Sequence, residues 1–188
     1  IDPDVELQRL VEAGIQAVTW HDSEYPPRLR EVYDLPPVLY VRGTLLPEDE
    51  RSVAVVGTRR PSAYGREVAY RLTADLARSG IVIVSGLARG IDAVAHRAAL
   101  EAGQRTIAVM GSGLDVMYPR EHAGLADEIA QNGAVISEHP LGVRPSSQNF
   151  PRRNRIMSGM TLGTVVAEAG FGSGALITAR HALEQNRE

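Results

Sequence analysis

Lysine and cysteine are both missing from the 188 residues, and each absence closes off a branch of chemistry. All 20 basic residues are arginine, so there is no P-loop lysine, no Schiff-base lysine and no seat for pyridoxal phosphate. Without cysteine there is no thiol nucleophile, thiolate metal site or disulfide, and the usual marker of an oxidising compartment is gone. No serine has glycine at both −2 and +2, which removes the nucleophile elbow of the hydrolases. His21, His96, His122, His139 and His181 lack the spacing of a zinc helix such as H-E-x-x-H. No apolar run approaches the ~20 residues that span a bilayer, and the opening IDPDVELQRL has neither the basic flank nor the apolar core of a signal peptide. The expectation is a cytoplasmic protein with no membrane segment, metal or cofactor.

What is present is organised around Ser52–Arg60, SVAVVGTRR. Val53 to Val56 show no polar alternation, as in a parallel strand covered on both faces. Gly57 then lets the chain turn sharply, and Ser62 reads as the cap of a following helix. In a doubly wound sheet the crevice outside the carboxyl ends of the strands binds ligands, which places Thr58, Arg59 and Arg60 at a site.

From Ser52 onward apolar strands recur at 53–56, 81–84, 106–110, 134–136 and 164–167, with helical segments between them. Gly80, Gly103 and Gly133 precede three of these strands, where a left-handed residue closes a helix. The pattern predicts an α/β protein with a five-stranded Rossmann-like parallel sheet flanked by helices over 45–188. Residues 1–44 form a small accessory segment: a short helix with Val5, Leu7, Leu10 and Val11 that Gly14 ends, then proline-broken chain and a strand at Val38–Val41. The start at Ile1 and the stop at Arg187-Glu188, where a further strand is due, suggest a piece of a longer protein, cut at its C-terminal side.

The ligand-edge turns are then 57–62, 85–90, 111–119, 137–155 and 170–174. The fourth is unusually long for a compact domain, which marks it as functional. It carries Ser146-Ser147-Gln148-Asn149, then Phe150, Pro151, Arg152, Arg153, Asn154 and Arg155. Pro151 suits the first position of a helix and would set the three arginines at its N-terminus, where an anion is already favoured. Charge agrees. Arg51–Arg66 and His139–Ala167 each hold four arginines and no carboxylate, and two windows of +4 in a chain of net −3 leave −11 for the rest. Local charge of this kind attracts a polyanion, and Phe150 beside it can serve as a stacking platform for a base or as a core residue. Asp92 and His96, four apart on one helix face, could pair; Glu138-His139 and Glu168 lie near the ligand edge, where a carboxylate could act as general base.

Taken together, VVGTRRPSAYG, SGLARGIDAVAH, GSGLDVMYP, SEHPLG, FPRRNRIMSG and VVAEAGFGSGALITA, with the earlier YPPRL and PPVLYVRG, resemble the DNA-processing protein A family (DprA, also called Smf) from about Tyr25 onward. The resemblance implies an extended Rossmann fold, single-stranded DNA binding, a homodimer, and loading of the recombinase RecA in natural transformation. It puts DNA contacts on Thr58 and Arg59, on Gly111, Ser112 and Gly113, and on Phe150, Arg152, Arg153 and Arg155. With the neighbouring turn residues the candidate set adds Gly57, Arg60, Ser85, Gly86, Ser147, Asn154, Ser173 and Gly174. His122 stands where the family commonly has asparagine, and Asn186 replaces the glycine of a QGR motif. The alternative is a phosphoribohydrolase of the lysine-decarboxylase-like family, acting on nucleoside monophosphates. Its P-G-G-x-G-T-x-x-E signature is matched only by Gly163 and Thr164, with Glu168 one residue late. A pure interaction scaffold is a third reading.

Overall fold

A computed structural model of the chain describes residues 3–188. Seven strands form one sheet in the order β1-β2-β6-β5-β4-β3-β7. The parallel part is β3 (Ser52–Gly57), β4 (Val82–Ser85), β5 (Thr106–Met110), β6 (Ala134–Ser137) and β7 (Gly163–Glu168). These are the five strands expected from the apolar runs. The remaining two come from the front of the chain. β1 (Gln16–Thr19) pairs antiparallel with β2 (Val38–Gly43), and β2 pairs antiparallel with β6, Val41 opposite Ile136.

Helices cover both faces. On one side lie α1 (Pro3–Glu12), α2 (Ala63–Arg78), α3 (Ile91–Glu101) and α4 (Ala123–Asn132); on the other, α5 (Asn149–Gly159) and α6 (Gly174–Glu184) pack with the front segment. Alternation along the strands divides the core accordingly. Val82, Val84, Ile107, Val109 and Ile136 face Ile156, Met157 and Met160 of the α5 layer, while Ile83, Ala108 and Val135 face the other. The front segment buries Tyr25, Leu29 and Val32 against α5, and the Tyr25 hydroxyl donates to the Pro36 carbonyl at 2.7 Å. Burying three such side chains stabilises the fold by about 1.5–3 kcal/mol each.

Two of the three helix-closing glycines behave as expected, with φ of 76° at Gly80 and 69° at Gly103. Gly133 does not. Its φ of −177° is extended, and its requirement is space, because a Cβ there would lie 2.0 Å from the Thr106 carbonyl oxygen. Asn186, at φ 54°, adopts a left-handed conformation, which asparagine tolerates better than most residues.

Candidate functional site

The order β4-β3-β7 reverses direction at β3, and this topological switch point lies over a cavity of about 820 Å3 at the carboxyl ends of β3 and β7. Gly57, Thr58 and Arg59 line it from β3, Ser147, Phe150, Arg153 and Asn154 from the long turn and α5, and Ser173 and Gly174 from the start of α6. These nine members of the sequence-derived set meet in one groove. Thr58 is fixed by backbone bonds, its N–H donating to the Glu168 carbonyl at 2.7 Å and its carbonyl accepting from Ile91. Arg59 therefore projects from a rigid turn. Its guanidinium carbon sits 5.4 Å from the centre of the Phe150 ring, and Tyr118 packs on the same ring at 5.5 Å. Phe150 is half-buried, neither core nor fully exposed.

The other members lie elsewhere. Ser85 is buried and donates to the Val55 carbonyl at 2.6 Å, beneath the floor. Gly111, Ser112 and Gly113 are buried under the long turn: the Gly111 carbonyl accepts from Asn149, Ser112 donates to the Val116 carbonyl, and a Cβ on Gly111 would meet the Phe150 ring at 3.1 Å. The GSG turn thus supports Phe150 rather than opening into the groove. Arg60 is exposed outside the cavity lining.

The three arginines of α5 differ from one another. The helix begins at Asn149, so Pro151 is its third residue and not its first; Arg152 closes the first turn, and Arg153 and Arg155 fall in the second. Arg152 is exposed, 3.7 Å from Glu138. Arg155 is buried and turned to the opposite side, held by Asp34 at 2.7 Å and Glu138 at 2.8 Å. The window 139–167 is free of acid in sequence but not in space, because the front segment supplies Asp34. Arg153 is also buried, and its Nη1 donates to the carbonyls of Gly86 (2.7 Å) and Val109, closing the cavity floor. Burial brings its guanidinium down to about 10, which leaves it charged at neutral pH. A Cβ on Gly86 would lie 2.3 Å from Arg153 Nη1, so a side chain here would push the guanidinium from its place.

The nearby carboxylates are committed to structure. Asp92 accepts from the N–H groups of Gly86 (3.1 Å) and Ala88 (3.3 Å) and feels the Arg153 charge; burial pushes its carboxyl up, opposed by those contacts. It makes no bond to His96, contrary to the expected pair. The His96 ring instead donates from Nδ1 to Thr106 Oγ1 at 2.8 Å, because the single threonine proton already goes to the Ile83 carbonyl. Burial, reinforced by His122 and Arg153, takes His96 down to about 3. Glu168 caps α2, accepting from the Ser62 N–H at 3.1 Å and the Ser62 hydroxyl at 2.9 Å. Asp92 occupies the first turn of α3 in the same way, so the positive ends of α2 and α3 are each met by one of the protein's own carboxylates. They offer no open anion seat of the dinucleotide-binding kind. The N-terminus of α6 carries no carboxylate and is capped by the Ser173 hydroxyl, which accepts from the Ala175 N–H, and Arg59 stands in the same groove.

His122 holds the SGLARG turn, its Nδ1–H donating to the Leu87 carbonyl at 2.8 Å, a bond that an asparagine amide could also make. Leu87 needs such support, as a buried leucine at φ 58°.

Residues 16–188 match the family model described as DNA recombination-mediator protein A. The chain belongs to this family. It is 46% identical over 179 residues to the DNA processing protein DprA of Bacillus subtilis, covering 94% of this chain and 60% of that protein. The crystal structure of DprA from Streptococcus pneumoniae superposes with a TM-score of 0.91 at 42% identity, over all of this chain and 65% of the other. DNA processing protein A from Helicobacter pylori, described for its unique single-stranded DNA binding mode, superposes with a TM-score of 0.82 at 33% identity, over 92% of this chain and 78% of that one. The chain thus spans less than two thirds of the length of the first two relatives. The family's extended Rossmann-like architecture is the one seen here.

Among the lining residues outside the sequence-derived set are three large side chains that the motifs do not single out, Tyr118, Phe171 and Ile177. Tyr118 and Ile177 were hidden in segments read for other reasons. Phe171 was read only as part of a glycine-rich turn, although it lines the groove and is fully exposed.

Proposed function

We propose that this chain binds single-stranded DNA in the groove at the β3–β7 switch point and, as a homodimer in the cytoplasm, delivers it to the recombinase RecA during natural transformation. The observation that carries the binding step is Arg59 over Phe150. A guanidinium with no ion pair among the described residues stands on a half-buried aromatic ring, within a cavity of about 820 Å3. A base can stack where the ring is free while its phosphate meets the cation, which is how strands are held without sequence preference. Family membership and the described binding mode of the Helicobacter pylori protein support the same reading. A non-catalytic role is supported by the commitments of Asp92, Glu138 and Glu168, each of which already satisfies backbone or side-chain donors.

The test is a side-by-side titration with a single-stranded oligonucleotide, the corresponding duplex and a nucleoside monophosphate. Single strands should bind tightest, and affinity should fall as salt rises, because neutralised phosphates release counterions. Equal affinity for duplex, or indifference to salt, would count against the groove. Release of free base from the monophosphate, abolished by Glu168→Gln, would favour the phosphoribohydrolase reading instead. RecA delivery is checked by the rate of RecA assembly on strands precoated with the protein, which should rise.

A further inference from the structure

Phe171 is an apolar ring left wholly in water. Its relative exposure is 108%, so it gains nothing from the core. Exposure by itself decides little, since Tyr33 at 103% and Tyr64 at 79% are similarly free. Phe171 differs from both because it lines the 820 Å3 cavity that also holds Arg59 and Phe150. Its backbone explains the placement. The Ser173 N–H closes a β-turn onto the Gly170 carbonyl at 3.1 Å, and Gly172 in the third position takes φ 76°, leaving Phe171 at the outward corner. A Cβ added to Gly170, Gly172 or Gly174 meets no atom within 4 Å, so there is open space beside this turn. No charged residue lies between Gly170 and Gly174 to repel a phosphate.

We infer that Phe171 is a second base-stacking platform, which takes a nucleobase of the strand held in the groove. The inference rests on the single-stranded DNA reading of this cavity. A nucleobase suits the site better than an apolar protein side chain. The same cavity carries Arg59 and Ser147, which would be left without partners by an aliphatic group but can meet base edges and phosphate oxygens. With Phe150 backed by Tyr118 and Phe171 in the lining of the same cavity, the groove offers two rings for two bases of one strand.

The experiment is an anisotropy titration of a labelled thymidine oligonucleotide against the wild type, Phe171→Ala, Phe171→Trp and Arg59→Ala at fixed salt, repeated over a salt series. Phe171→Ala should weaken binding by about 5- to 150-fold, the equivalent of one base stacked on one ring. Its salt slope and melting temperature should be unchanged, and Phe171→Trp should bind at least as tightly as wild type. Moving a single abasic residue along the oligonucleotide should reveal one position at which wild type and Phe171→Ala bind equally. If Phe171→Ala binds like wild type while Arg59→Ala is weakened, the groove reading stands and the second platform is wrong. If neither substitution matters, or wild type binds no strand, the groove reading falls and the inference with it. A Phe171→Ala variant that changes sedimentation but not DNA affinity would assign the ring to a protein contact and overturn the inference.

Discussion

The arginines of this chain share one chemistry and three environments, and their substitutions should separate accordingly. Arg59→Ala removes an exposed cation from a rigid turn, so it should weaken single-strand binding and lower the salt slope by about one, with an unchanged melting curve. Arg155→Ala leaves Glu138 buried without its partner, so it should cost about 3–5 kcal/mol of stability in a denaturant titration. Arg152→Ala should cost less than about 1 kcal/mol of stability, as its contact to Glu138 is long and exposed. Phe150→Ala should cost roughly 1–3 kcal/mol of strand affinity, with a smaller stability loss than a fully buried ring would give. His96 sets a pH dependence. Its ordinary value of 6.5 falls to about 3 in the folded chain, so the unfolded chain takes up the extra proton first. Stability from this group is complete above pH 6.5 and is lost on acidification toward 3, by up to about 1.4 kcal/mol per pH unit. Asp92, pushed up by burial, works in the opposite sense, so the decisive measurement is the difference: His96→Gln should flatten the acid limb of a stability-against-pH curve.

At the scale of elements, the SGLARG turn is the most constrained part of the site. Asp92, Arg153 and His122 each bond its backbone, and Leu87 sits in a conformation that costs a leucine about 1–3 kcal/mol. Gly86→Ala should therefore displace Arg153 and lower both stability and strand affinity, whereas Gly14→Ala, at a turn with nothing within 4 Å of the added Cβ, should affect only stability. The five parallel strands were legible because burial on both faces writes itself as an unbroken apolar run, and Gly80 and Gly103 because helix closure is local. Gly133 looks identical in sequence, yet its reason is a carbonyl on a neighbouring strand. The same divide runs through the site. Thr58 and Arg59 follow from strand-then-turn logic, but the fate of Arg155 depends on Asp34, 121 residues away, and no local pattern reports it. Phe171 was invisible for a different reason: a sequence shows that a residue is aromatic, and only the turn around it shows that nothing covers the ring.

At the scale of the whole molecule, two features reach beyond the groove. Leu176 and Leu183 of α6 are seven residues apart on one face and 44% and 76% exposed, next to Ile177 at the rim of the groove. Self-association through this face should give a dimer in sedimentation at micromolar concentration, and Leu183→Glu should return it to monomer. The second feature is the insertion of β2 beside β6. The front of the chain finds strand partners in Val135 and Ile136, ion pairs in Asp127, Arg155 and Arg187, and a last clasp in the Arg187 guanidinium, which reaches the Arg28 carbonyl 159 residues earlier. On a ribosome adding roughly 5–20 residues per second, Tyr25 and Leu29 would emerge many seconds before anything exists to cover them. The front segment thus stays without its cover for longer than any other part of the described chain, and its prolines and charges oppose pairing with a neighbour meanwhile.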